Sequence, residues 1–137
     1  MFPLIILAGP TASGKSETAI ALAEHLGTEI INADSLQVYK YFDIGTAKPS
    51  LEARLKVVHH LIDIVEPHMD FTAFDFKARA LECARDLADR GKIPILVGGT
   101  GLYLKVLTQD YHCAVQVSPE IREIGRASCR ERVCQYV

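Results

Sequence analysis

Eight residues near the start, Gly9-Pro10-Thr11-Ala12-Ser13-Gly14-Lys15-Ser16, have the types and spacing of a phosphate cradle, G-x-x-x-x-G-K-[ST]. Gly9 and Gly14 admit backbone angles that a Cβ disfavours, so successive N–H groups can turn inward on an anion. Lys15 adds a cation, and Ser16 a hydroxyl suited to magnesium. A helix beginning at Lys15 would aim its unpaired N–H groups and positive dipole end at the same anion. Two further places carry groups that could act on a ligand bound there. Asp34, in Asp34-Ser35, could be a general base, a partner of magnesium-bound water or only a helix cap. Thr100, in Gly98-Gly99-Thr100-Gly101, offers a hydroxyl and close backbone approach. A tight strand-to-helix turn explains those four residues equally well.

These groups need elements to hold them. Residues 3–8 read as a continuous apolar strand, buried on both faces of a parallel sheet. A helix over 15–26 has Ala19, Leu22, Ala23 and Leu26 at helical spacing and stops at Gly27. Residues 29–33 make a second strand that ends at Asp34, so the chain opens as a βαβ unit. The pattern weakens over 36–48, and 43–49 reads as a loop around Gly45 and Pro49. Ser50 can cap a short helix over 51–57, and 60–65 alternates like a strand that Glu66-Pro67 ends. Thr72-Ala73-Phe74-Asp75 has the form of a capping box. It opens the longest helix, to about Arg90, with Phe74, Ala78, Leu81, Ala84 or Arg85, and Ala88 on successive turns. Residues 94–97 are a third buried-type strand that runs into Gly98, and 102–107 look helical. Ser118-Pro119-Glu120 begins one more helix. Ligands of open parallel α/β sheets collect beyond the carboxyl ends of the strands. The expected fold is therefore α/β, a P-loop NTPase-like parallel sheet flanked by helices, with the cradle, Asp34 and Thr100 around one crevice.

With 49% hydrophobic and 23% charged residues, no repeat and no low-complexity tract, 137 residues suit one globular domain. A net charge of −2 gives no overall electrostatic footprint for nucleic acid. The apolar opening is too short to cross a bilayer and lacks the basic start and cleavage site of a signal peptide. A cytoplasmic protein with no membrane partner is expected. Cys83, Cys113, Cys129 and Cys134 have no C-x-x-C spacing, which argues against zinc or a disulfide framework. His59 and His60 are adjacent, so their rings face opposite ways, suiting packing or hydrogen bonding better than a shared metal. Residues 126–137 hold three arginines and two cysteines without a core-forming period. They read as a tail of non-native origin or a frayed helix, which leaves 1–125 as the α/β core, more acidic still without them.

Five stretches, in this order, resemble one family. They are Gly9 to Ser16 as G-P-T-A-S-G-K-S, Asp34 to Tyr39 as D-S-L-Q-V-Y, Asp43 to Pro49 as D-I-G-T-A-K-P, His59 to Ile64 as H-H-L-I-D-I, and Val97 to Tyr103 as V-G-G-T-G-L-Y. Together they are similar to the tRNA dimethylallyltransferases, or tRNA isopentenyltransferases, over about residues 3–124. The resemblance implies transfer of a dimethylallyl group from dimethylallyl pyrophosphate to the exocyclic amine of an adenosine beside a tRNA anticodon, with Mg2+ as cofactor. In that pattern Gly9, Pro10, Thr11, Ala12, Ser13, Gly14, Lys15 and Ser16 hold the departing pyrophosphate, with Ser16 toward the metal. Asp34 accepts a proton from the attacking amine, and Thr100 contacts the pyrophosphate or the nucleotide. Ser35, Leu36 and Gln37 lie in the segment that meets the adenine, which must leave its stack to be reached. Arg122 matches a position that touches tRNA. Family members are far longer, with a helical insertion and further basic residues that grip the anticodon arm. The chain is thus expected to be a monomeric N-terminal portion, truncated before that insertion, which binds pyrophosphate but modifies tRNA poorly or not at all. The alternatives are a small-metabolite P-loop kinase that binds ATP, a transferase acting on free adenine nucleotides, and a non-catalytic nucleotide-binding module.

Overall fold

In the computed structural model, which describes residues 2–109, strands β1 (Ile5–Ala8), β2 (Ile30–Asn32), β3 (His59–His60) and β4 (Ile95–Gly98) form one parallel sheet. Its order is β1-β4-β2-β3. The connecting helices are α1 (Lys15–Leu26), α2 (Leu51–Lys56) and α3 (Ala73–Asp89), and α4 (Gly101–Thr108) follows β4. Ala8 stands opposite Gly98, and Val97 opposite Asn32, so β4 lies between the two strands of the opening βαβ unit. That placement brings the end of β4 between the cradle after β1 and the Asp34 turn after β2.

Side chains alternate across the sheet and build a core on each face. Ile30, Ile95 and Val97 pack with Ala19 and Ala23 of α1 and with Val57. Ile31 and Leu96 point the other way, onto Phe76, Ala80, Ala84 and Leu87 of α3 and Tyr103 and Val106 of α4. Phe76 and Tyr103 stack with ring centroids 4.2 Å apart, and burial pushes the Tyr103 hydroxyl up to about 12. The caps follow the local chemistry. Thr72 and Asp75 form the reciprocal capping box, Ser50 accepts from the Ala53 N–H, and Gly27 takes the left-handed C-cap of α1.

Four expectations need correction. β1 is not buried on both faces: it is an edge strand among the described residues, and Ile6 is 37% exposed. An apolar run alone cannot tell a central strand from an edge one. The buried stripe of α3 is Phe76, Ala80, Ala84 and Leu87, whereas Phe74 and Ala78 are exposed. The capping box starts the helix at Ala73, and the sheet lies under a stripe two residues further on. α2 ends at Lys56, one residue short of the expected span, with Val57 as its extended C-cap. The strand expected over 60–65 is only His59–His60, because Leu61 (φ 62°) and Asp63 (φ 54°) turn left-handed immediately after it. The helix starting at Ser118, Arg122 and the tail at 126–137 lie outside the described residues. Among the described residues, no helix is long and apolar enough to cross a membrane.

At the opposite end of the strands from the cradle, Glu29 gathers two cations and a histidine at the foot of β2. Arg90 donates to both carboxylate oxygens (2.8 and 3.2 Å), Lys92 donates at 2.8 Å, and His60 Nε2 lies 2.7 Å away. The Arg90 bonds, helped by Lys92 and His60 and opposed by burial, lower the Glu29 carboxyl from 4.5 to about 2. A depressed carboxyl stabilises the fold fully above its unfolded value and loses that contribution as pH falls through the folded one. Glu29→Gln is expected to cost about 2–3 kcal/mol at neutral pH, measured by urea unfolding. The gap to the unmodified chain should close as pH is lowered from 4.5 towards 2.

Candidate functional site

Of the two glycines expected to need special backbone angles, Gly14 takes the left-handed conformation and Gly9 does not. Gly14 is the N-cap of α1 at φ 78°, and no side chain caps the helix, which leaves its first N–H groups facing the loop. Ala12 is also left-handed, at φ 62°, a conformation its own residue type does not announce. Lys15 folds back over the loop, donating to the Pro10 carbonyl and, at 3.2 Å, to Ser13 Oγ. Thr11, Ala12, Lys15 and Ser16 line a cavity of about 190 Å³. Gly9, Pro10 and Ser13 instead face a shallower groove beside β1, which Lys15 also borders.

The second side of the cavity comes from the end of β2. Asp34 lines it, and its Oδ1 accepts from the Leu36 and Gln37 N–H groups at 2.8 and 3.3 Å. The cap reading and the base reading are therefore compatible, because no described residue bonds Oδ2. Leu36 and Gln37 also line the cavity, as do Gly98 and Gly99 at the end of β4. Thr100 and Ser35 do not. The Thr100 hydroxyl accepts from the Ser35 N–H at 3.0 Å and reaches Ser35 Oγ at 3.4 Å, tying the ends of β4 and β2 together.

The third side was not legible in advance. Gly45, Thr46, Ala47 and Pro49 of the 43–49 loop line the cavity opposite the cradle, and Asn32 and His59 line it as well. Gln37 is buried, and its amide donates to the Thr46 and Ala47 carbonyls at 2.8 and 3.1 Å, clamping the loop. His59 Nδ1 lies 2.7 Å from the Val57 carbonyl, and burial holds the imidazole below its ordinary value of 6.5, hence neutral at neutral pH. The motif D-I-G-T-A-K-P marked this loop as notable, but nothing local says which way it folds. Among the described residues no group of three or more His, Cys, Asp or Glu could hold a metal ion by itself. The oxygen donors on the cavity, Ser16 and Asp34, suit a magnesium ion that keeps its waters and is completed by phosphate.

A family model described as IPP transferase matches residues 37–135. Curated relatives include the tRNA dimethylallyltransferase of Geobacter metallireducens, 60% identical over 77% of this chain and 34% of that protein. That of Koribacter versatilis is 48% identical over 98% of this chain and 44% of that protein. Among solved structures, the full-length tRNA isopentenylpyrophosphate transferase of Bacillus halodurans superposes with a TM-score of 0.79 at 38% identity, covering 96% of this chain and 44% of that one. A eukaryotic dimethylallyltransferase acting on tRNA gives 0.78 at 34% identity, covering 88% and 31%. The chain thus spans less than half the length of these relatives.

Proposed function

This chain belongs to the IPP transferase family, that of the tRNA dimethylallyltransferases, and we propose that it transfers, or supplies the donor half of a site that transfers, a dimethylallyl group to an adenosine beside the anticodon of a tRNA. One observation carries this reading: the cradle, the Asp34 turn and the Gly98-Gly99 end converge on one cavity. A diphosphate on the P-loop amides and Lys15 would present its ester carbon towards Asp34. The exocyclic amine of the adenosine forms the new C–N bond as the C–O bond breaks. The electron pair leaves with the pyrophosphate, and the amine proton passes to Asp34 Oδ2. The loop amides and Lys15 stabilise the charge that grows on the leaving group. Ser16 would hold a magnesium ion which, when bound, adds to that stabilisation. Leu36 and Gln37 both line the cavity where the adenine would arrive, and the Gln37 amide also holds the facing loop. The tRNA would be gripped largely by parts of the longer relatives outside this chain. A cytoplasmic monomer is the form this reading expects.

Calorimetric titration tests it. Dimethylallyl pyrophosphate and inorganic pyrophosphate are expected to bind without competition from equimolar ATP. Lys15→Met should weaken pyrophosphate binding by roughly 10- to 100-fold, the worth of a charge-assisted contact. Preferred binding of ATP with phosphoryl transfer to a small acceptor would replace this reading with the kinase.

A further inference from the structure

The 43–49 loop forms a wall of the cavity without any core of its own. It contains no helix or strand, and Ile44 at its tip is 99% exposed. Polar contacts hold it instead. Lys48, whose side chain is only 4% exposed, donates to the Tyr39 carbonyl at 2.7 Å, to Asp63 at 2.6 Å and to Asp43 at 3.0 Å. Arg54 reaches the other Asp63 oxygen at 2.7 Å and the Pro49 carbonyl at 3.1 Å. The backbone is left-handed at Tyr41 (φ 65°), Ala47 (φ 52°) and Asp63 (φ 54°), all non-glycine positions. Such conformations persist where surrounding contacts over-determine them, and they concentrate at functional sites. Burial opposes the Lys48 charge, but the bonds from Asp63 and Asp43 outweigh it and raise its affinity for the proton. A buried ion pair is a weak way to gain stability compared with apolar packing, and its better-attested use is to fix one arrangement.

We propose that the Lys48–Asp63 pair is a specificity-determining positioning device: it holds the 43–49 loop so that Ala47 and Pro49 form an apolar wall for the hydrocarbon of an allylic diphosphate. Ala19, Ile30 and Val97 line the same cavity, while Lys15 and Ser16 mark its phosphate end. The proposal rests on the donor site described above and adds which residues recognise the non-phosphate part of the donor. Neither Lys48 nor Asp63 lines the cavity, so both act through the loop.

Two esters of equal charge, methyl diphosphate and dimethylallyl diphosphate, separate the phosphate contribution from that of the hydrocarbon in calorimetry on the full chain. The unmodified chain is expected to prefer the dimethylallyl ester by about tenfold or more, from the added apolar burial. Lys48→Met should bind methyl diphosphate within about twofold of the unmodified chain and lose most of that preference. Lys48→Arg keeps the charge and protects against loss of folding, which circular dichroism checks, and should lose part of it. A preference left undiminished in the folded Lys48→Met variant, even with a lower melting temperature, overturns the proposal, since a merely structural pair would behave that way. If the unmodified chain binds both esters equally, the wall assignment fails alone. Binding of neither ester overturns the donor site itself.

Discussion

Asp34→Asn, in a chain completed with the remainder of a related enzyme, is expected to lower prenyl transfer by about 10²- to 10⁴-fold, the contribution of a positioned base. Pyrophosphate affinity measured without magnesium should not change. Asparagine is the informative replacement because Asp34 has two duties. Its Oδ1 accepts from the Leu36 and Gln37 N–H groups, and an amide oxygen can continue to do so. What is lost is the negative charge, and with it the ability to take a proton. Asp34→Ala removes both duties, and should add roughly 1 kcal/mol of lost capping to the same kinetic defect. Single-turnover transfer to an anticodon stem-loop RNA measures the first effect, and thermal unfolding the second. Turnover that survives in the asparagine variant would leave Asp34 as a cap and nothing more.

Gly98→Ala should be the most damaging single methyl addition in the described fold. A Cβ there would lie 2.2 Å from the Ala33 carbonyl oxygen, 2.5 Å from its carbon and 2.7 Å from the Ala33 Cβ. None of these is the end of a flexible side chain. β4 and the end of β2 are also drawn together by the Ala33 N–H, which donates to the Val97 carbonyl at 2.7 Å. Relief therefore requires the strand ends to part, at a cost of about 3 kcal/mol or more. Asp34 follows Ala33 directly, so the same displacement moves the proposed base away from the cradle. The expected result is a lower melting temperature together with lost transfer activity. Gly99→Ala is the control: its Cβ would meet only the Gly9 carbonyl, at 3.1 Å, and a small shift accommodates it. Equal behaviour of the two variants would show that the contact at Gly98 is not rigid.

The caps and the cradle were readable because their chemistry is local. Thr72 and Asp75 stand three residues apart and bond each other, and Gly14 supplies the left-handed residue that starts α1. Burial was less legible. The apolar run at β1 looks central, yet among the described residues it has a neighbour on one side only, β4, paired across ninety residues of register. The expected strand after His60 failed for a related reason. Leu61-Ile62-Asp63-Ile64-Val65 alternates like a strand, but Asp63 turns left-handed to reach Lys48 and Arg54. That carboxylate's partners, fifteen and nine positions away, outweigh the local pattern.

What the sequence by itself determined is a phosphate cradle, an acidic residue at a strand end, and the family to which five ordered motifs point. Each depends on residue types at short, fixed spacing, where backbone geometry leaves little choice. Only the tertiary structure decided that β4 enters between β1 and β2, that Thr100 bonds Ser35 instead of lining the cavity, and that Gln37 and Lys48 secure the loop facing the cradle. Those outcomes come from contacts between segments far apart in the chain, whose distances no local spacing encodes. The 9–16 loop carries the residue pattern for a diphosphate, whereas the fold decides what stands opposite it.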